Sequence, residues 1–470
     1  MIFKKPLRAL LPLLFLPIFG FSQSSDLAGL VESYMNEVED FSGVVMVAYQ
    51  GKPLLMEGYG MINPESDIQI DANTLFDIGS ISKSFTATAI LILSEQGKLS
   101  VSDPLSLYFP SLSAEKGALT LHQLLTHSSG LPGALGDDYE PISREAFLEL
   151  VDSATLGFPA GTSYDYSNVG YSLLAMIIED LSGESYDTFL QEEVLFRAKM
   201  LMTGYSPRGV EYMAVASGIA PDGSDWGTPL DKTWDGKQPY WHLRGNGGLM
   251  SSASDMFRLY LAMRSGQLLG GEATKAQFTP HVDEGGGYSF YGYGWVIMDE
   301  GDLISHNGGN GIFRADFHWL PNDDYVLFAA SNNAKVPLFQ ISEDLLQIIR
   351  TGKPAVKLDL QEIDMKTFPA TDRQKAAQRF FDNIANPDSA KAKAFLESDF
   401  SAGVIERNGA TRLIEIFGMI HADNPNLKLT AVREDDSHIQ LAATAEGGAT
   451  IKFLIKFLED QIDGLEIEAN

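Results

Sequence analysis

The stretch FDIGSISKSFTATAILILSEQGKLS, residues 76–100, decides the fold of the N-terminal part of the chain. It is almost continuously apolar from Ala87 to Leu93, and such a run is typical of a buried helix. The pattern predicts one helix over residues 80–96. Gly97 is placed to end it, because glycine readily adopts the left-handed conformation found at helix C-termini.

Two polar residues, Ser80 and Lys83, stand at the entrance of this helix, three positions apart. Residues at i and i+3 share a helix face, so the hydroxyl and the amine can meet. A serine becomes a good nucleophile when a base takes its proton, and a desolvated lysine can act as that base. Backbone N–H groups at a helix N-terminus can stabilise an oxyanion. The alternative is a capping serine beside a solvent-reaching lysine, and S-x-x-K alone leaves both open.

Two further polar clusters follow along the chain. Tyr166, Ser167 and Asn168 precede an apolar helix, and the segment 306–309, His-Asn-Gly-Gly, lies on a predicted strand. A tyrosine can relay a proton, and an asparagine can hold a substrate amide. Small glycines on an edge strand let a substrate backbone approach. The three clusters can converge on one cleft.

These clusters resemble those of the class C β-lactamases and penicillin-binding-protein-like serine hydrolases. The motifs are S-x-x-K at residues 80–83, Y-x-N at 166–168, and an H-x-G form of the third motif at 306–308. The connecting segments LTLHQLLTHSSGLPG, FPAGTSYDYSN, GGLMSSASDM and YGYGW also resemble this family. The resemblance extends over residues 26–350 and implies a β-lactamase/transpeptidase-like fold.

The resemblance implies three catalytic roles. Ser80 would be the acylated nucleophile, and Lys83 would accept or relay its proton. Tyr166 would be the general base in acylation and the proton shuttle in deacylation. The structural alternative for Tyr166 is a loop tyrosine that packs on a neighbour.

The resemblance also implies a substrate site. Asn168 would bind the substrate amide, His306 and Gly308 would line the site, and the N–H groups of Ser80 and Gly309 would form the oxyanion hole. His306 stands where β-lactamases of this class have lysine. A histidine with a pKa of about 6.5 is only partly charged at neutral pH. This resembles the DD-peptidase, D-amino-acid peptidase and esterase branches. Asn168 could instead be a helix cap, and His306 a structural strand residue.

Other polar residues near the motifs are predicted to be structural. His127 ends an apolar helix, where a histidine commonly bonds carbonyls and complements the helix dipole. Arg314 is expected on the surface or in an ion pair, although a substrate carboxylate is an alternative partner. The aromatic stretch YSFYGYGW, residues 288–295, is expected to be mostly strand and core, although one of its tyrosines could line the cleft.

Strand signals bracket the region 26–350. A helix over 26–40 precedes a hairpin at 43–60, and strands return at 290–332 before a helix over 336–349. Helix signals dominate between them. The simplest packing is an α+β fold: early and late strands share one antiparallel sheet, flanked by helices, with a helical lobe beside it.

The pattern changes after a predicted linker at 351–359. Helix signals over 371–421 precede the alternating strands LKLTAVRE, HIQLAATAE, TIKFLIKFLED and QIDGLEIEA. They predict a small α+β domain over 360–470. It has no nucleophile-and-base pattern, and substrate binding or dimerisation are open hypotheses for it.

The N-terminus has the layout of a secretory signal peptide. Lys4, Lys5 and Arg8 precede an apolar run over 10–21, and small polar residues follow. The predicted signal segment is 1–22. The protein is therefore expected to be exported, periplasmic or secreted, and without stable membrane insertion once this segment is removed.

The composition of the chain limits the kinds of molecule that it is expected to bind. The chain has 34 basic and 63 acidic side chains, a net charge of −29, which becomes about −32 without the signal segment. Such a surface repels nucleic acid and anionic lipid, so the expected partner is a small-molecule or peptide substrate. The absence of cysteine excludes disulfides and thiolate metal sites. The eight histidines are scattered, so no metal and no cofactor is expected. The oligomeric state is left open.

The sequence thus predicts a secreted serine hydrolase that acts through an acyl-enzyme on an amide or ester, such as a D-amino-acid peptide or a small ester. Two alternatives remain: a catalytically silent binding or scaffolding relative, and a true class C β-lactamase. The intact Ser80, Lys83 and Tyr166 argue against the first, and His306 argues against the second.

Overall fold

The computed structural model describes residues 20–470, apart from positions 233, 237, 286, 288, 355–360, 409, 425, 436, 446–449 and 470. The predicted signal segment 1–22 lies outside the described residues except for its last three positions, and the predicted linker 351–359 lies partly outside them. Two units are distinguished, residues 1–355 and residues 356–470, and each is described by itself.

The first unit contains strands and helices that alternate unevenly along the chain. Its strands are β1 (Gly43–Tyr49), β2 (Lys52–Tyr59), β3 (Phe76–Asp77), β4 (Gly218–Ile219), β5 (Asp225–Gly227), β6 (Met250–Ser251), β7 (Val282–Asp283), β8 (Ser289–Tyr291), β9 (Val296–Met298), β10 (Leu303–Asn310), β11 (Phe313–Leu320) and β12 (Tyr325–Ser331). Its helices are α1 (Gly20–Met35), α2 (Ser82–Glu95), α3 (Ala114–Gly117), α4 (Leu121–Leu125), α5 (Arg144–Ser153), α6 (Asn168–Ser182), α7 (Tyr186–Leu190), α8 (Ala253–Ser265), α9 (Gly271–Gln277) and α10 (Leu338–Thr351).

Early and late strands form one antiparallel sheet, as predicted. Among the described residues it has eight strands in the order β2-β1-β12-β11-β10-β9-β8-β7. The predicted hairpin is β1–β2, and β1 also pairs with β12, where Val45 lies opposite Ala329. The buried apolar run of β1 fits this interior place, because a strand covered on both faces needs no polar side.

The two faces of the sheet are covered by different helices. On one face, Val44 and Met46 of β1 belong to a core shared with α2 and α6. On the other, Val45 and Val47 pack in a core shared with α1 and α10. Successive side chains of a strand point to opposite faces, so a single apolar run supplies both cores. The predicted α+β architecture is confirmed, although α1 ends at Met35 and not near residue 40.

The second unit is an antiparallel sheet with helices. Its helices are α11 (Asp372–Ala385), α12 (Ser389–Asp399), α13 (Ala402–Asn408) and α14 (Ala410–Asp423), and its strands are β13 (Gln361–Glu362), β14 (Lys428–Glu434), β15 (His438–Thr444), β16 (Thr450–Leu458) and β17 (Gln461–Ala469). The strands lie in chain order. Phe380 of α11 packs against Phe417 of α14 and Phe453 of β16, with ring centroids 5.7 and 5.6 Å away. The alternating segments predicted from sequence are thus strands of one sheet with its own core.

Within the described residues, no helix is both long enough and apolar enough to span a membrane.

Candidate active site

The nucleophile turn, Gly79–Ile81, is a 3₁₀ turn that leads directly into α2. The sequence predicted a single helix from residue 80, so the start of the α-helix at Ser82 corrects that boundary. In a 3₁₀ turn residues i and i+3 lie nearly above one another. The turn therefore brings Ser80 and Lys83 together, and Lys83 Nζ lies 3.1 Å from Ser80 Oγ.

Lys83 is fully buried although it carries an amine. Its Nζ donates to the backbone carbonyl of Asn246 at 2.7 Å and lies 4.7 Å from the ring centroid of Tyr166. Burial lowers the pKa of Lys83 well below its usual value, and the more distant Asp138 only partly opposes this. Burial therefore favours the neutral amine more than in a solvated lysine, and this amine lies within reach of the Ser80 hydroxyl.

Strand β10 lies directly against the nucleophile turn. A Cβ atom placed on Gly308 would lie 2.0 Å from the Ile78 carbonyl oxygen, and one on Gly79 would lie 2.4 Å from the Gly309 nitrogen. Only glycine permits this approach, and Gly79 also has a positive φ of 50°. The backbones of Ser80 and Gly309 thus come together as an oxyanion hole requires, and their roles as its donors stay a prediction.

The sequence predicted that β10 is an edge strand, and the structure places it inside the sheet. It lies between β11 and β9, but β9 pairs only with residues 303–305 within the described chain. The segment 306–310 therefore has no strand partner on that side. An extended substrate could pair with it as an added strand.

Tyr166 faces the same amine. Its hydroxyl is buried and, among the described residues, lies beside the Ser80 hydroxyl without a close hydrogen bond to any other group. Burial raises the pKa of Tyr166 above its usual value, although the neighbouring Ser80 hydroxyl favours the anionic form. The phenol is therefore neutral at physiological pH, which suits a proton relay between Ser80 and Lys83 better than a standing phenolate base.

Asn168 is the first residue of α6, and it does not cap the helix. The cap is Ser167, whose Oγ accepts from the Gly170 N–H, so the capping alternative for Asn168 is wrong. The Asn168 N–H donates to the Gly133 carbonyl at 2.9 Å. Its side-chain Oδ1 is buried without a partner. That orphaned acceptor is compatible with the predicted contact to a substrate N–H.

His306 lies at the site, but both of its ring nitrogens are engaged within the protein. Nδ1 lies 2.6 Å from the Asn307 carbonyl and therefore donates, while Nε2 accepts from the Tyr291 hydroxyl at 2.9 Å. Burial and the nearby Lys83 lower the pKa of His306 to about 3. The expectation of partial charge at neutral pH is corrected, because the ring is neutral there. Substrate contact by His306 stays a prediction. Because both ring nitrogens are engaged, such a contact would be made by the edge of the imidazole ring.

His127 follows the end of α4, as predicted, but its hydrogen bond differs from the expected one. Its Nδ1 accepts from the Ser167 N–H at 3.0 Å, so it does not donate to a helix carbonyl through that nitrogen. Its ring centroid lies 4.2 Å from that of Tyr166 and 4.5 Å from that of Tyr291. His127 therefore supports the Tyr166 ring from behind. The signal that could have revealed this was its place in LTHSSG, one of the segments that carry the family resemblance.

Two further observations complete the site. Tyr291 of the aromatic stretch is fully buried, as expected for a core residue, and its hydroxyl donates to His306 Nε2. Arg314 donates to the carbonyls of Gly311 and Phe313 at 2.9 and 2.8 Å, so it closes the β10–β11 turn. The ion pair offered as one role for Arg314 gives way to these backbone hydrogen bonds.

Comparison with known proteins identifies the family of the first unit. The family model described as beta-lactamase matches residues 27–347. A Bacillus subtilis (strain 168) protein, PbpX, whose name assigns it provisionally to the penicillin-binding proteins, is 30% identical over 321 residues. That match covers 68% of this chain and 78% of the relative.

Solved structures show the same fold. An octameric penicillin-binding protein homologue from Pyrococcus abyssi has a TM-score of 0.62 and 23% identity, covering 92% of this chain and 91% of that one. A class C beta-lactamase has a TM-score of 0.60 and 19% identity, covering 69% of this chain and 96% of that one. These matches confirm the predicted mixed architecture. The chain belongs to the beta-lactamase family, among the relatives of penicillin-binding proteins and class C beta-lactamases.

Proposed function

We propose that this protein is an exported serine hydrolase that cleaves an amide or ester through an acyl-Ser80 intermediate. The observation that carries the proposal is the 3.1 Å approach of the buried Lys83 amine to the Ser80 hydroxyl. A buried amine with a lowered pKa is a base at neutral pH, and a serine needs such a base to become a nucleophile.

The proposed reaction has two halves. In acylation, Ser80 Oγ attacks the carbonyl carbon while its proton passes to Lys83, directly or through Tyr166. The oxyanion is held by the N–H groups of Ser80 and Gly309, and the leaving group departs with the proton. In deacylation, water attacks the acyl carbon and gives its proton to the same pair. Ser80 recovers a proton as the acid is released.

The proposed substrate is a D-amino-acid peptide or a small ester without a carboxylate at the third motif. His306 is neutral there, whereas a lysine in its place would be charged. A neutral third motif gives less attraction to a carboxylate-bearing ligand such as a β-lactam. Cell-wall-type peptides suit the export that the N-terminal segment predicts.

The test of the proposal is intact-protein mass spectrometry after incubation with a fluorophosphonate and, separately, with a fluorescent penicillin. We expect a single fluorophosphonate adduct that peptide mapping places on Ser80, with slower or no labelling by penicillin. Heat-denatured protein is the control, since its serines are not activated. Folded protein that gains no adduct from either probe would make a silent binding relative the better description.

Replacing Tyr166 with phenylalanine tests the proton relay. Among the described residues, the Tyr166 hydroxyl has no close hydrogen-bond partner outside the site. Its removal should therefore leave the melting temperature nearly unchanged. We expect kcat for a p-nitrophenyl ester to fall about 100- to 1,000-fold, the usual contribution of a positioned proton-transfer group.

The matched control is Tyr164→Phe, where the hydroxyl donates to Glu284 at 2.7 Å. It should change kcat little. If the two variants lose activity equally, Tyr166 has no specific part in proton transfer.

A further inference from the structure

The buried carboxyl group of Asp77 links the nucleophile turn to β10, the strand that carries Gly309. Asp77, on β3, is almost completely buried. Its Oδ1 accepts from the Gly79 N–H at 2.7 Å, and its Oδ2 accepts from Asn310 Nδ2 at 2.5 Å. Gly79 immediately precedes Ser80, and Asn310 immediately follows Gly309. One carboxyl group therefore holds the chain on both sides of the proposed oxyanion hole.

We propose that Asp77 is a positioning residue whose ionised carboxylate fixes the Ser80 N–H and the Gly309 N–H relative to each other. The proposal rests on the proposed hydrolase function and adds a residue outside the three motifs. A carboxylate can accept both hydrogen bonds at once, since both of its oxygens are acceptors. A protonated acid has a hydroxyl where one acceptor stood, so one of the two contacts must change.

Among the described residues, few other titratable groups interact with Asp77. Met250, opposite Asp77 on β6, is uncharged. The titratable groups that interact with it lie on the segment between α4 and α5, namely Asp138 and Tyr139. Asn310 Oδ1 and the Tyr139 hydroxyl are buried near each other. A protonated Asp77 Oδ2 could donate to Asn310 only if that amide turned over, so the contact seen in the structure belongs to the carboxylate.

The titration of Asp77 falls in the range where the enzyme would work. Burial raises the pKa of Asp77 to about 7, while the hydrogen bonds from Gly79 and Asn310 act in the opposite direction. The ionised form, which makes both contacts, is lost as the pH falls through this value. Asp77 therefore predicts a kcat that declines on the acid side of neutrality.

The experiment compares Asp77→Asn with wild type for a p-nitrophenyl ester over pH 5–9. An asparagine offers one acceptor to two donors, so one contact is lost at every pH. We expect kcat at the plateau to fall about 10- to 100-fold with KM within about 3-fold, as a small misplacement of catalytic groups produces. The part of the acid-side decline that follows the titration of Asp77 should disappear in this variant, while any part that follows protonation of Lys83 stays.

Two further variants keep the test decisive. Asn310→Ala removes a hydrogen bond that lowers the pKa of Asp77, so the acid-side decline should move to higher pH. Asp316→Asn is the matched control. Asp316 is another buried carboxyl, with Oδ2 bound to the Ser342 hydroxyl at 2.7 Å, and burial raises its pKa to about 6. Its replacement should affect stability and leave the kcat profile unchanged.

The outcomes distinguish a failure of the positioning role of Asp77 from a failure of the proposed hydrolase function. An unchanged acid-side decline in Asp77→Asn, or equal kcat losses in Asp77→Asn and Asp316→Asn, overturns the positioning role while the hydrolase remains. If Asp77→Asn does not fold, the direction in which Asn310→Ala moves the pH profile decides the matter. Wild-type protein that neither turns over the ester nor forms an adduct on Ser80 refutes the proposed function instead.

Discussion

Ser80→Ala is expected to lower kcat for a p-nitrophenyl ester by about 10⁴- to 10⁶-fold, the size of loss found when a catalytic nucleophile is removed. The described partners of the side chain are Lys83 and the Tyr166 hydroxyl, both in the site, so its removal leaves the backbone of the turn intact. The melting temperature should therefore stay close to that of wild type. The fluorophosphonate adduct should be absent, because the atom that would carry it is gone.

Ser84→Ala is the matched control for this variant. Ser84 lies four positions further on, in α2, and it is buried where Ser80 is half-buried. Its hydroxyl donates to the Ile81 carbonyl at 2.8 Å. Its loss removes a hydroxyl of the same kind without touching Lys83. Full activity in Ser84→Ala beside a dead Ser80→Ala would assign the chemistry to one hydroxyl. Substantial turnover by Ser80→Ala would contradict an acyl-Ser80 mechanism.

Lys83→Met is the second variant with a large expected effect. Methionine fills a similar volume but cannot take a proton, so we expect kcat to fall about 10³- to 10⁵-fold. The same change should raise the melting temperature at neutral pH, since it removes a buried amine that lacks a carboxylate partner. Loss of activity together with gain of stability is the signature of a group held in an unfavourable place for function.

The stability difference should depend on pH in a defined direction. The pKa of Lys83 is lower in the folded protein than in the unfolded chain, so the unfolded state binds more protons between the two values. Wild-type stability from this group therefore rises with pH through that window, up to the ordinary value of 10.5. Each unit of difference corresponds to about 1.4 kcal/mol. The advantage of Lys83→Met should shrink as the pH approaches 10.5, which thermal unfolding at several pH values would measure.

Lys116→Met is the matched control for the lysine. Lys116 is also buried, but its Nζ lies 2.5 Å from a Glu115 carboxylate oxygen. Replacing it removes an ion pair far from the motifs in sequence. The Lys116→Met protein should keep the wild-type activity and show no gain in stability. A Lys83→Met protein that is no more stable than wild type at neutral pH, or that keeps its activity, would contradict a neutral buried base.

The sequence determined the elements whose signals are local. The apolar run of α2, the two strand segments of the β1–β2 hairpin and the alternating segments of the second unit are each specified by the positions of neighbouring residues. Residue types at fixed spacing also named the candidate pair Ser80 and Lys83. Spacing along one turn of helix is a local property, and therefore it could be read without the fold.

The tertiary structure alone decided the electrostatics and supports of the site. The pKa of Lys83 is lowered because segments distant in sequence, including Asn246, bury its amine. His306 is neutral because it is buried against Tyr291, and sequence reasoning assigned it the charge of a solvated imidazole. Asp77 meets Asn310 across 233 positions of the chain. A pKa depends on the dielectric and the partners around a group, and these come from segments that only folding brings together.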